Sequence, residues 1–239
     1  MEIILICPFK SEISIKTSFD ILKLLVKENI SVSVDKSLFK EFKKIEENIE
    51  IDLYKDLNSS ADFLFCVGGD GSMLKAISFL KQNQIPILGI NIGRLGFLTG
   101  IQKEKLNKGI NFLKSKDYSL VKRDLLTIKI NGKVNLEFPC ALNEITVSRK
   151  NTASLISIET SIDKIKLSKY WADGLIIATP TGSTGYNLSS GGPIMLPETP
   201  SILITPIAAH NLNVRPLVIP NKSIIELKVD GQGTGSEHF

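Results

Sequence analysis

The stretch from Ala61 to Lys75, ADFLFCVGGDGSMLK, constrains the fold more than any other part of the chain. Phe63 to Val67 is a short unbroken apolar run suited to a strand buried on both faces, and Met73, Leu74, Ile77 and Leu80 then recur at helical spacing. Between them Gly68, Gly69 and Gly71 allow backbone angles that a Cβ forbids, and they admit a ligand close to the main chain. The stretch reads as strand, glycine turn and helix. It holds Asp70 at the carboxyl end of a strand, where open α/β sheets bind their ligands. Ser72 is read as the cap of the helix, whose first amides favour an anion such as phosphate. Asp-Gly is also a common turn dipeptide, and a strand-to-helix connection needs glycine for geometry alone, so the local pattern leaves both readings open.

The flanking segments extend this unit to a domain. Glu2 to Cys7 reads as a buried first strand, followed by a polar loop and a helix from about Ser18 to Lys27. Ile30 to Val34 is a second strand with Val32 and Val34 on one face, Ser37 to about Glu47 a lysine-rich surface helix, and Ile85 to Ile90 a further strand. Strands alternating with helices predict an α/β amino-terminal domain built on a Rossmann-like parallel sheet with right-handed crossovers. Neither GxGxxG nor GxxxxGK(S/T) occurs, so any phosphate cradle is neither a dinucleotide fingerprint nor a Walker loop. The paired glycines of Asn91 to Leu98, NIGRLGFL, suit the turn where the chain leaves this domain, or a functional loop. The first domain is set at residues 1–98 and the second at 99–239.

Composition limits the partners. In 239 residues, 29 basic against 25 acidic side chains give a net charge of +4 with lysines spread along the chain, which gives little reason to expect nucleic acid. No apolar run reaches membrane-spanning length, and the run from Met1 to Cys7 is too short, and too soon interrupted by Pro8, for a signal peptide. No membrane partner and a cytoplasmic location are expected. Cys7, Cys66 and Cys140 are odd in number, far apart and set in apolar runs, as buried free thiols would be. The two histidines, His210 and His238, are not spaced as metal ligands.

After a last helical patch from about Lys103 to Lys114 the pattern changes to short strands between polar turns: Leu125 to Ile130, Lys133 to Phe138, Ala141 to Val147, Leu155 to Ile158 and Lys164 to Leu167. Asn131-Gly132 is a hairpin signal, and the second domain is predicted to be β-rich and sandwich-like. Asn143-Glu144 interrupts a strand-like run, either as an ordinary edge pair or as an amide and carboxylate offered to ribose hydroxyls in a cleft. Leu175 to Ala178 is a strand core, followed by a loop in which Thr179, Thr181, Ser183 and Thr184 crowd among Pro180, Gly182 and Gly185. So many hydroxyls suit phosphate and sugar oxygens, and Tyr186 offers a ring to a base; the bland alternative is a low-complexity turn.

Gly68 to Ser72 (GGDGS), Asn143-Glu144, Asp173-Gly174 and Thr179 to Pro193 (TPTGSTGYNLSSGGP) together resemble, in order, the motifs of the NAD kinase family. GGDG alone is shared with lipid kinases and phosphofructokinases, whereas the later motifs look like NAD kinase. The resemblance implies transfer of the γ-phosphoryl group of ATP, accompanied by a divalent metal cation such as Mg2+, to the 2′-hydroxyl of the adenosine ribose of NAD. It implies Asp70 as catalytic base with Gly71 beside it, and Lys75 reaching the nucleotide. Asn143 and Glu144 would bind ribose and adenine, Asp173 the nicotinamide side, and Thr184, Gly185, Tyr186, Asn187, Leu188 and Ser189 the adenine end, with Gln232 a further substrate contact. No protein-bound metal is assigned beyond the one that comes with ATP, and a homodimer or homotetramer is implied. Trp171 departs from the family, which more often has a basic or polar residue there, and Ser154 falls in a loosely matching strand. The carboxyl end, stopping at Phe239, is short for the family pattern. A lipid kinase and a non-catalytic nucleotide sensor are the rival functions.

Overall fold

The computed structural model describes residues 1–54, 61–80, 83–93, 96–133, 138–150, 155–211 and 213–230. The chain divides into two compact units, Met1–Leu120 and Val121–Phe239.

In the first unit, strands β1 (Glu2–Ile6), β2 (Ser31–Val34), β3 (Asp52–Leu53), β4 (Phe63–Val67), β5 (Ile87–Asn91) and β6 (Ile101–Gln102) are all parallel and lie in the order β3-β2-β1-β4-β5-β6. The two faces of this sheet are buried separately, because successive strand residues point to opposite sides. Ile3, Leu5, Val32, Val34, Phe65 and Val67 pack with Phe19, Leu22 and Leu25 of α1 (Glu12–Lys27), Leu38 and Phe42 of α2 (Lys36–Ile45), and Leu106 and Ile110 of α4 (Leu106–Ser115). Ile4, Ile6, Leu64 and Cys66 face the other way, onto Met73, Ala76 and Leu80 of α3 (Asp70–Leu80). Each fully buried Leu, Ile or Phe contributes about 1.5–3 kcal/mol, so the sheet is held mainly by its two apolar faces.

Three sequence expectations shift here. The first helix begins at Glu12, not Ser18, because Ser11 forms a capping box with Ser14. Helix α3 begins at Asp70, so Ser72 is buried inside its first turn and does not cap it. Residues 99–120 lie in the first unit, where the sequence reading had begun the second domain, because β6 pairs with β5 and α4 completes the first core.

The second unit is a sandwich of antiparallel sheets. Strands β10 (Ile156–Ile162), β11 (Ile165–Ala172) and β15 (Ile225–Asp230) form one sheet in the order β11-β10-β15. Strands β9 (Glu144–Ser148), β12 (Gly174–Ala178), β13 (Ser201–Ile207) and β14 (Leu217–Pro220) form the other, in the order β14-β13-β12-β9. Ile156, Ile158 and Tyr170 of the first sheet share a core with Leu175, Ile177, Ile202 and Ile204 of the second. A short pair, β7 (Leu126–Thr127) with β8 (Cys140–Ala141), accompanies them. Asn131 and Gly132 both have positive φ, 50° and 72°, between the bridged residues Ile130 and Lys133, which is the turn the dipeptide predicts. The expected strand from Lys133 to Phe138 otherwise lies outside the described residues, as do Ser154, Gln232 and His238.

Candidate active site

The first group of site residues stands on the turn between β4 and α3. Strand β4 is buried along its whole length, and Gly68 leaves it with φ +143° while the Ser72 hydroxyl comes so close that a Cβ at 68 would overlap it. This geometry requires glycine. Asp70 is the first residue of α3, where a negative charge complements the helix dipole. Its carboxylate reaches across to the segment after β5: the Phe97 amide donates to Oδ2 at 2.8 Å and the Leu98 amide to Oδ1 at 3.0 Å. Each oxygen keeps a second lone pair. Gly71 is exposed beside the Phe9 ring, and Lys75 is exposed one turn further along the helix.

The segment that holds Asp70 is itself pinned. Asn91, buried at the end of β5, donates to the Thr99 hydroxyl at 2.9 Å and accepts from the Gly93 amide at 2.7 Å. Gly100 donates to the Gly89 carbonyl at 3.0 Å. Leu98 packs into the core beneath α3, whereas Phe97 is 79% exposed. Phe97 and Leu98 thus stay within the first unit and hold the Asp70 carboxylate, while Arg94 and Leu95 of the NIGRLGFL stretch lie outside the described residues. The paired glycines left a turn or a functional loop open; the bond of this segment to Asp70, 27 residues away, was not legible.

The second group gathers around the end of β12. Glu144 opens β9 opposite Ala178. Its Oε2 is buried without a hydrogen-bond partner, and burial pushes the carboxyl above its ordinary range while a hydrogen bond from the Tyr186 backbone amide opposes the rise. Thr179 ties this corner together: its amide donates to the Asn143 carbonyl at 2.8 Å, its hydroxyl donates to the Leu142 carbonyl and accepts from the Gly182 amide at 3.0 Å. Gly182 lies so close to the Asn143 backbone that no side chain fits, and Gly185 faces Glu144 Oε2.

The hydroxyl-rich loop is a 3-10 turn over Thr181–Thr184 followed by the short helix α5 (Tyr186–Ser189). Not all of it faces outward. Thr179 and Ser183 are buried, with Ser183 Oγ accepting from the Met195 amide at 3.0 Å, so those two hydroxyls serve the fold. Asn187 is fully buried: its side-chain amide donates to the Ser183 carbonyl at 3.0 Å and the Pro193 carbonyl at 3.1 Å, and its oxygen accepts from the Thr205 hydroxyl at 2.6 Å. Thr184 and Gly185 are half-buried, while Tyr186, Leu188 and Ser189 are exposed.

Asp173 sits at the break between β11 and β12, where its amide donates to the Ile207 carbonyl at 2.9 Å. Arg149 engages it twice, by an ion pair at 3.0 Å and by its own amide on the Asp173 carbonyl at 2.9 Å. Nothing in the sequence pattern marked Arg149 as this partner. Among the described residues no three His, Cys, Asp or Glu side chains converge as a metal site, and the Asp70 carboxylate is already turned onto two amides. Among the described residues the donor set does not fit a resident metal ion.

Residues 3–118 match the ATP-NAD kinase N-terminal domain, and residues 142–238 match the ATP-NAD kinase C-terminal domain. A relative from Christiangramia forsetii named NAD kinase is 48% identical over 225 residues, covering 92% of this chain and 76% of its own length. The chain belongs to the NAD kinase family. A NAD kinase of Flavobacterium psychrophilum is 52% identical over 183 residues, covering 75% of this chain and 62% of the relative. Among solved structures, yeast NADH kinase complexed with NADH superposes with a TM-score of 0.82 at 26% identity, over 96% of this chain and 75% of that one. An NAD kinase from Archaeoglobus fulgidus in complex with ATP gives 0.72 at 26% identity, over 96% of this chain and 81% of that one. Both structural groups described above fall inside the NAD kinase matches, Asp70 in the amino-terminal one and Asn143 to Ser189 in the carboxy-terminal one. No helix among the described residues is long and apolar enough to cross a membrane.

Proposed function

We propose that this chain transfers the γ-phosphoryl group of ATP to the 2′-hydroxyl of the adenosine ribose of NAD, yielding NADP and ADP, with Asp70 as the base. The observation that carries the proposal is the fixed Asp70 carboxylate, held on a glycine turn by the Phe97 and Leu98 amides with a lone pair left on each oxygen. A ribose hydroxyl is a poor nucleophile at neutral pH. Phosphoryl transfer therefore depends on positioning and on a group that takes the proton as the oxygen attacks. Asp70 takes that proton, the P–O bond to the β-phosphate breaks, and ADP leaves with the bonding electrons.

Glu144 and Asn143 supply acceptors and donors to the ribose and adenine, and Glu144 Oε2 is a buried oxygen in want of a donor. Tyr186, exposed on α5, offers its ring to the base, together with Thr184, Gly185, Leu188 and Ser189. Asp173, braced by Arg149, serves the nicotinamide side, and Gly71 and Lys75 the phosphates. Gln232 is assigned a substrate contact by its family motif alone. Asn187 supports the loop through its buried side chain rather than by contact with substrate. A divalent cation, Mg2+ foremost, would arrive with ATP and neutralise triphosphate charge; the protein's own part is the proton and the positioning. A homodimer or homotetramer and a cytoplasmic setting complete the reading.

The test incubates the chain with magnesium, ATP and NAD and reads NADP through a dehydrogenase specific for it. Asp70→Asn is expected to lower turnover at least about 100-fold while NAD still binds. Unchanged turnover in the variant would remove Asp70 as the base, and a wild-type protein that binds NAD without forming NADP would identify a sensor.

A further inference from the structure

We infer that Gly96 is a positioning residue for phosphoryl transfer: its missing side chain leaves the space in which the Asp70 carboxylate lies against the Phe97 and Leu98 amides. The inference rests on the reading of Asp70 as the base. A Cβ built at Gly96 would stand 2.1 Å from Asp70 Oδ1, 2.5 Å from Cγ and 2.7 Å from Oδ2. All three carboxylate atoms meet it, so no rotation of the carboxylate about its own axis relieves the overlap. The side chain must swing away, and both amide bonds go with it.

The arrangement is specific to this position. Elsewhere in the same loop, at Gly93, an added Cβ meets nothing within 4 Å. Nor is the clamp a consequence of core packing, since Phe97 is 79% exposed and the loop is anchored independently by Asn91, Thr99 and Leu98. Removing the space at residue 96 therefore displaces a carboxylate without emptying a core. A misplaced base loses turnover, because near-attack geometry tolerates errors of less than about 1 Å. Substrate contacts made by other residues keep their strength, so KM is spared.

The experiment compares Gly96→Ala, Gly93→Ala, Asp70→Asn and the Gly96→Ala/Asp70→Asn double variant. Gly96→Ala is expected to lower kcat about 100-fold with KM for NAD and ATP within about threefold, while Gly93→Ala stays within about twofold of wild type. Because Gly96 acts through Asp70, the double variant should be no slower than Asp70→Asn alone. Amide hydrogen exchange supplies a readout independent of turnover. Phe97 and Leu98 should be protected in wild type and in Gly93→Ala; both should exchange faster in Gly96→Ala, and at least one of them in Asp70→Asn, whose side chain keeps a single acceptor oxygen.

Wild-type kcat in Gly96→Ala, a loss confined to KM, or a double variant slowed by the product of the two single effects would each overturn the inference. Equal exchange at Phe97 and Leu98 in wild type and Asp70→Asn would overturn it even if Gly96→Ala does not fold. Full turnover in Asp70→Asn would instead sink the base assignment, so the two failures are distinguishable.

Discussion

Two carboxylates in this chain occupy opposite environments. Asp70 takes one backbone donor on each oxygen, whereas Glu144 has one oxygen buried and unpartnered, and burial pushes its carboxyl above the ordinary value of 4.5. A carboxyl raised in the folded state binds its proton more tightly there than in the unfolded chain. Its contribution to stability is fully present below pH 4.5 and is lost as pH rises through the folded value. Glu144→Gln carries no charge at any pH. Relative to wild type it should gain stability between pH 4.5 and 8, by about 1 kcal/mol or less because Glu144 is only half-buried, as urea unfolding at the two pH values would measure. The same substitution removes the charge and turns one of the two acceptor oxygens offered to a ribose hydroxyl into a donor. NAD should then bind about tenfold more weakly, since a hydrogen bond to a charged group contributes about 1.5–3 kcal/mol. Stability rising while affinity falls is the mark of a group strained for binding; equal affinity in the variant would take Glu144 out of the substrate site.

At the scale of elements, one buried side-chain amide joins two parts of the loop after β12 to β13. Asn187 holds the Ser183 and Pro193 carbonyls and the Thr205 hydroxyl, and Gly192 approaches it too closely to carry a Cβ. Asn187→Ala would orphan three buried polar groups and should cost about 2–4 kcal/mol by urea unfolding; Asn187→Asp should cost a comparable amount, because a carboxylate accepts and cannot donate to the two carbonyls. A cost below 0.5 kcal/mol would mean that water replaces the amide there, by roughly the margin of a surface substitution. Asn187 also shows where sequence reading stops. The strand of Phe63 to Val67, the all-parallel first sheet and the antiparallel second unit follow from apolar periodicity and turn residues, which are local signals. The Asp70 turn was legible because its glycines sit within one short stretch. Which hydroxyls of TPTGSTGYN face inward was not, since Thr179 and Ser183 turn toward Leu142 and Met195, up to 37 residues away. Arg149 was missed for the same reason: an ion pair across two strands leaves no trace in spacing.

For the whole molecule, three thiols report on the two units separately. Cys7 lies in the core shared by α1, α2 and α4, and Cys66 lies on the opposite face of the same sheet under α3. Although Cys66 is aligned with Ile6 on the neighbouring strand, its alternation with Cys7 points the two sulfurs to opposite sides, so this closeness in register cannot become a disulfide without breaking the sheet. Burial also pushes the Cys66 thiol up to about 12, which leaves almost no thiolate at neutral pH. Cys140, half-buried on β8 in the second unit beside the Thr127 hydroxyl at 3.7 Å, has neither protection to the same degree. A disulfide-exchange reagent should therefore label Cys140 in the native protein and leave Cys7 and Cys66 untouched. Rising urea should then expose Cys7 and Cys66 in one transition, because a parallel sheet whose strands are buried on both faces cannot release one face and keep the other. Peptide mapping of the labelled sites at each urea concentration would check this. Labelling of Cys66 well before Cys7 would mean that α3, and with it the turn carrying Asp70, opens as a local unit while the rest of the sheet persists.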